Sequence, residues 1–283
     1  MTRILVGIDG SERGERALEW AARRAERDGA SLTLLSVVDP AVAREAGVDT
    51  ETMKRASQET VDAAAKLAAG HPGVRAATSV VEGKIVESMI EAAAAHDMVV
   101  VGSHHGATIG ETVGGAKGLR ISVSTVAPTV VVPSDWNPDE CGEGIVVGVG
   151  PDNVSERAVA FGVREALGDG QPLDLVSAWG LPPVLTRPAE VLGGGLAPVG
   201  EQFQRDLDRR VATLAEANPG LSVAGHAVEG SSPASTLVKY SAGHRLLVLG
   251  THSRSALGRT LFGSVTHGVL LDLKVPTVVV PQA

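Results

Sequence analysis

Aromatic residues make up only 2% of the sequence, and cysteine occurs once, at Cys141. A lone cysteine cannot close an internal disulfide, and it excludes a zinc site built from several thiolates. With no cation beside it in sequence to lower its pKa, it reads as an incidental thiol. So few aromatic rings leave no material for a cage around a ligand or for a base-stacking platform, and the core must come from Val, Leu, Ile and Ala. Basic blocks are missing too. The net charge is −8, and without clustered Lys and Arg to neutralise phosphates no nucleic-acid partner is expected. No stretch approaches the roughly 20 apolar residues that span a bilayer. The opening MTRILVGIDGSERG has too short an apolar run before Asp9 for a secretory leader. These absences together predict a cytoplasmic protein with no membrane partner.

What is present is length and repetition. The chain has 283 residues, 43% hydrophobic and 20% charged, enough for two domains that each bury a core. RILVGIDGSERGERALEWAARRA (3–25) aligns without a gap on GIVVGVGPDNVSERAVAFGVREA (144–166). Each copy runs from β-favouring residues through a glycine-containing corner into a helical period. In the first, Ala17, Leu18, Ala21, Ala22 and Ala25 form one apolar stripe. Ser11 stands at the N-cap position, with Glu12 and Glu15 placing negative charge in the first turn; Asp152 and Ser155 are alternative caps in the second.

The correspondence continues along both halves. Strands are predicted over 31–39 and 172–179, helices over 50–69 and 198–217, and third strands over 74–83 and 221–230. Helices near 84–95 and 232–242 then lead to strands at 97–103 and 245–251, and each half closes on PTVVVP, at 128–133 and 276–281. Alternating strands and helices with near-continuous Val/Leu strands specify α/β domains, each a parallel sheet with helices on both faces. The predicted domains are 1–133 and 144–283. They are joined by the linker SDWNPDECGE (134–143), which carries Trp136. The Pro/Gly-rich insertion at 180–196 reads as a surface loop, with a lid over the site as the alternative.

Ligands of open parallel sheets bind at the carboxyl ends of the strands where the strand order reverses. The candidate loops there are GSHHGATIGETVGGA (102–116) and GTHSRSALGRTLFGS (250–264). Glycines let backbone N–H groups converge on one point, and a helix opening at Gly263-Ser264 adds free N–H groups and a positive dipole end for an anion. The hydroxyls of Ser264 and Thr266 complete such a cradle. A carboxylate at the end of the first strand, Asp9, suits a ribose or a metal accompanying phosphates.

The repeat resembles the universal stress protein family in its tandem form, over essentially the whole chain. The resemblance is carried by V-G-I-D-G-S, by Val-Val-Asp after the second strand, by the two loops and by the terminal PTVVVP strands. It implies two Rossmann-like five-stranded sheets of order 3-2-1-4-5 and association through the last strand. It also implies ATP or related nucleotide binding, with or without Mg2+, in members carrying G-x2-G-x9-G-[ST] and the first-strand Asp. Carried onto this sequence, the implied contacts are Asp9, Val38, Gly102, His105, Gly115 and Ala116 in the first half. In the second they are Gly250, His252, Ser253, Gly263, Ser264, Val265 and Thr266. Neither half has the full set. The first keeps Asp9, Gly102 and Gly115 but has His105 for the second glycine and Ala116 for the hydroxyl residue. The second keeps Gly263-Ser264 but has Ser253 for the second glycine and Gly150 for the Asp. A lost hydroxyl contact to a charged phosphate costs about 1.5–3 kcal/mol, roughly one to two decades of affinity, so such changes weaken a site without abolishing it.

Outside the loops, His104-His105 is a solvated pair or a metal chelate, and His252 and Arg254 are either exposed or set to approach a terminal phosphate. Lys117 offers charge where Ala116 lost a donor. No nucleophile elbow, zinc-protease helix, Walker loop or paired acid/base carboxylates occur, so no catalytic residue is assigned. The expected function is a stress-response protein that binds ATP or a related adenine nucleotide as a regulatory ligand. The alternatives are a dimerising interaction module without nucleotide, and a slow ATPase. The apolar edge strands Val130–Val132 and Val278–Val280 are expected to pair antiparallel, making one chain mimic a dimer, with a homodimer as the further assembly.

Overall fold

The computed structural model describes residues 1–103, 112–150, 155–180, 197–251 and 263–282, with the backbone alone at 112–116 and 197–198. Among these, Met1–Glu140 form one compact unit and the residues from Cys141 to Gln282 a second.

The first unit runs β1 (Arg3–Gly7), α1 (Glu12–Asp28), β2 (Ser31–Val38), α2 (Pro40–Glu45), α3 (Thr50–Ala68), β3 (Arg75–Glu82), α4 (Ile85–Ala93), β4 (Met98–Gly102), α5 (Thr112–Ser124) and β5 (Thr129–Val132). All its strands are parallel, in the order β3-β2-β1-β4-β5. β1 is central, and Ile4, Leu5 and Val6 are buried to within 1% of complete; β3, at one end, is mostly exposed or half-buried. Strands covered on both faces read as continuous apolar runs, and β3, which is not so covered, mixes polar residues into its run. Ser11 caps α1 by accepting the Gly14 N–H, and Glu12 and Glu15 lie in its first turn as expected. The helix α2 is an addition to the sequence reading. Asp39 accepts the Ala41 N–H and Pro40 occupies the first turn, the pairing of cap and pre-set φ that starts short helices.

The second unit repeats the plan: β6 (Ile145–Gly148), α6 (Glu156–Asp169), β7 (Leu173–Trp179), α7 (Ala197–Ala217), β8 (Val223–Glu229), α8 (Pro233–Ser241), β9 (Leu246–Thr251), α9 (Ser264–Leu270) and β10 (Thr277–Pro281). Its parallel order is β8-β7-β6-β9-β10. Each unit therefore has the order 3-2-1-4-5 in its own numbering, and α1 and α6 both end on a glycine in the left-handed region, Gly29 and Gly170. The valines of β5 and of β10 are buried. In the connecting segment Pro138–Glu140 form a 3-10 turn, Trp136 is buried and Cys141 is exposed. No helix among the described residues is long and apolar enough to cross a membrane.

Candidate functional site

The corner between β1 and α1 is fixed by side-chain bonds to its own backbone. Oδ1 of Asp9 accepts the Ser11 N–H at 3.0 Å and the Ser11 hydroxyl at 2.6 Å, while Ser11 Oγ accepts the Gly14 N–H at 3.2 Å. This is an Asx turn leading into an N-cap. It leaves Oδ2 of Asp9 without a hydrogen bond among the described residues and holds the exposed carboxylate at the strand end.

Beside that corner lies a cavity of about 340 Å³, within the usual range for small-molecule sites, about 300–1,000 Å³. Its floor is made by the carboxyl ends of β1, β2 and β4, through Ile8, Leu35, Val37 and Val101. Polar groups reach it from four directions: Asp9 after β1, Arg13 from α1, Ser57 from α3 and Lys117 from α5. Gly102 lies at the edge where β4 passes the start of α1. A Cβ there would come within 2.6 Å of the Arg13 carbonyl oxygen, so close approach of strand end and helix demands glycine at this position.

Two cations and one carboxylate therefore line the same cavity. Among the described residues neither Arg13 nor Lys117 forms an ion pair or a side-chain hydrogen bond. Arg13 stands in the first turn of α1, where the positive end of the helix dipole disfavours a cation unless an anion is near. The Ser36 side chain is 6% exposed, lines the cavity and has no hydrogen-bond partner among the described residues. Its Oγ is not fully buried, so it is open to a hydrogen bond from the cavity.

In the second unit the equivalent corner is built differently. Gly150 stands where Asp9 does, and its N–H donates to Ser155 Oγ at 2.9 Å. Ser155 occupies the aligned position of Gly14 and is buried. A hydroxyl thus stands where Gly14 leaves room for the carboxylate, and it binds a different donor, the N–H at the strand end. Farther along, Gly263 precedes α9 without a side-chain cap, and Ser264 is exposed in the first turn. Val265 is half-buried. Thr266 is buried and donates its hydroxyl proton to the Gly250 carbonyl at 3.1 Å, a bond inside the unit that leaves no proton for a phosphate.

Of the residues named from sequence, the structure brings Asp9, Gly102 and Lys117 together on one cavity. Val38 is 1% exposed and does not line the cavity, whereas its neighbour Val37 does. Gly115 and Ala116 lie in the backbone of α5. His104, His105, Asp152, His252, Ser253, Arg254 and most of the 180–196 insertion lie outside the described residues. Arg13, Ser36 and Ser57 were not expected at the site. Only Arg13 carried a sequence signal, a cation in the first turn of a helix that follows the first strand.

Comparison with known proteins gives a consistent relationship. The sequence model of the universal stress protein family matches residues 1–132 and again 143–281. A universal stress protein of Mycobacterium tuberculosis is 31% identical over 300 aligned residues, covering 99% of this chain and 97% of the relative. One from Mycolicibacterium smegmatis is 27% identical, covering 98% and 96%. The crystal structure of a universal stress protein from Archaeoglobus fulgidus superposes with a TM-score of 0.71 at 16% identity, covering 99% of this chain and 96% of that one, a likeness of fold.

Proposed function

We propose that this chain, which belongs to the universal stress protein family in both of its halves, binds an adenine nucleotide as a regulatory ligand in the cavity of its first unit. The observation that carries this reading is the pair of cations, Arg13 and Lys117, that line the same cavity as Asp9 without an anionic partner among the described residues. An anion would relieve both, and the phosphates of a nucleotide supply one. Asp9 suits a ribose hydroxyl, its Oδ2 being open to accept a hydrogen bond. The apolar floor of Ile8, Leu35 and Val37 suits the base, and the Ser36 hydroxyl offers it a polar partner.

Among the described residues no group of three His, Cys, Asp or Glu could hold a metal ion, so any Mg2+ would enter with the phosphates. Gly150 stands in the second unit where Asp9 stands in the first, and the Thr266 hydroxyl is engaged, so the nucleotide is assigned to the first unit. Calorimetry with ATP, ADP and adenosine tests the reading. Binding is expected to weaken from ATP to adenosine and by about tenfold for Lys117→Ala, the loss of one charge-assisted contact. An absence of heat with ATP at millimolar concentration, with and without Mg2+, overturns it.

A further inference from the structure

The second unit contains a cavity of about 520 Å³ between α6 and α7, at the carboxyl ends of β6 and β7. We propose that it is a separate binding site for an uncharged, planar small molecule carrying one hydrogen-bonding group. The walls are apolar. Val149 and Val159 close one side, and Leu207 and Phe203 of α7 close the other. Trp179 stacks on Phe203 with ring centroids 5.9 Å apart and planes inclined by 19°, so that ring is held in place rather than free to fill the space.

Two hydroxyl residues line the cavity with these apolar ones: Thr213 is exposed and donates to the Arg209 carbonyl, whereas Ser177 lies deeper. Ser177 is 6% exposed, lines the cavity and makes no side-chain hydrogen bond among the described residues. Its Oγ is not fully buried, so it is open to a hydrogen bond with a molecule in the cavity. The charges at the rim neutralise one another. Arg210 bonds Glu156 at 2.9 Å, and Arg209 is paired with Asp206. Among the described residues the strand end itself carries no carboxylate, Gly150 standing where Asp9 does and donating its N–H to Ser155. In the first unit unpaired cations call for an anion; here paired charges leave a charged ligand without a counterpart and with a desolvation cost to meet. Apolar walls, one fixed ring and one open hydroxyl select a flat neutral molecule.

The test uses the full-length, 15N-labelled chain with quinoline, indole and benzimidazole as neutral probes and quinoline-2-carboxylate as the charged comparator, read by amide chemical shifts. The neutral bicycles are expected to shift the signals of Ser177, Phe203 and Leu207, and the carboxylate to bind more weakly than quinoline. Ser177→Ala should weaken the best probe about two- to tenfold, the loss of one neutral hydrogen bond. Val159→Trp should abolish binding by filling the cavity, and Leu214→Trp, nearer the surface, replaces it if that variant does not fold. Absence of shifts at millimolar probe, undiminished binding in a folded tryptophan variant, or equal affinity for the carboxylate each overturn the proposal. Because ATP is assigned to the first unit, these outcomes are independent of nucleotide binding.

Discussion

A Cβ placed on Gly14 would stand 2.7 Å from Oδ1 of Asp9, closer than two such atoms can approach. The glycine is therefore what lets the carboxylate settle at the head of α1, and the second unit makes the complementary exchange, with Gly150 and Ser155 at the aligned positions. A pair has changed together, and each version satisfies its own corner.

This coupling predicts that Gly14→Ser displaces the Asp9 carboxylate and weakens ATP binding about tenfold, equivalent to about 1.4 kcal/mol. The double change Asp9→Gly with Gly14→Ser reproduces the second unit's corner. It should fold with a melting temperature close to that of the parent, yet still bind ATP weakly. Paired calorimetry and thermal unfolding check this. A double variant that binds like the parent would show that Asp9 does not contact the nucleotide.

Gly102 leads to a stability prediction of a different kind. Its missing side chain makes room for the Arg13 carbonyl, a backbone atom that cannot rotate away. Gly102→Ala should therefore destabilise the first unit by about 1–3 kcal/mol, the usual cost of overpacking, and disturb Arg13 at the cavity. Urea denaturation gives the first quantity and ATP titration the second. An alanine variant as stable as the parent would refute the close-packing explanation for this glycine.

The strands and helices were legible because duplication lets each half check the other, and because Val/Leu runs such as Ile4–Val6 and Val146–Val147 belong to strands covered on both faces. The short helix α2 was missed although Asp39-Pro40 announces it; no apolar period follows to extend the signal. The cavity was only partly legible. Asp9 and Gly102 sit at strand ends, where topology alone locates a ligand. Ser36 and Ser57 join them only once β2 and α3 are packed, and residue spacing does not encode that convergence. Thr266 shows the converse. A hydroxyl in the first turn of a helix suits a phosphate or a nearby carbonyl equally well, and only the position of Gly250 decides which it meets.

The Thr266 bond is separately testable. Thr266→Val keeps shape and volume but leaves the Gly250 carbonyl without its hydroxyl partner. A stability loss of about 1 kcal/mol, within the usual range for one internal hydrogen bond, is expected from denaturant unfolding. ATP affinity should stay unchanged. A loss of nucleotide affinity without a loss of stability would move the phosphate contact to the second unit.

Acid stability of the first unit depends on Glu19. Burial opposes its ionisation, but hydrogen bonds from Arg23 at 2.6 Å and His71 at 3.1 Å outweigh it and hold the carboxyl below its usual 4.5. His71 lies 3.1 Å from Glu26 through its other ring nitrogen, so its ring sits between two carboxylates of α1 and donates to both only when both nitrogens are protonated. A carboxyl whose pKa is lower folded than unfolded contributes its full stability above the unfolded value and loses it as the pH falls through the folded value. At neutral pH Glu19→Gln should cost about 1 kcal/mol, a partly exposed, charge-assisted contact being worth less than a buried one. On acidification the difference should shrink and vanish once Glu19 is protonated in both states. Asp28 is depressed too: burial opposes its ionisation, but Arg27 and Arg24 together outweigh it. It keeps the same acid limb in both proteins, so only the gap between their curves reports Glu19. Denaturant unfolding from neutral pH to about pH 3 measures that gap, and a gap that stays constant with pH would mean that the Glu19 contacts stabilise the fold through packing and not through charge.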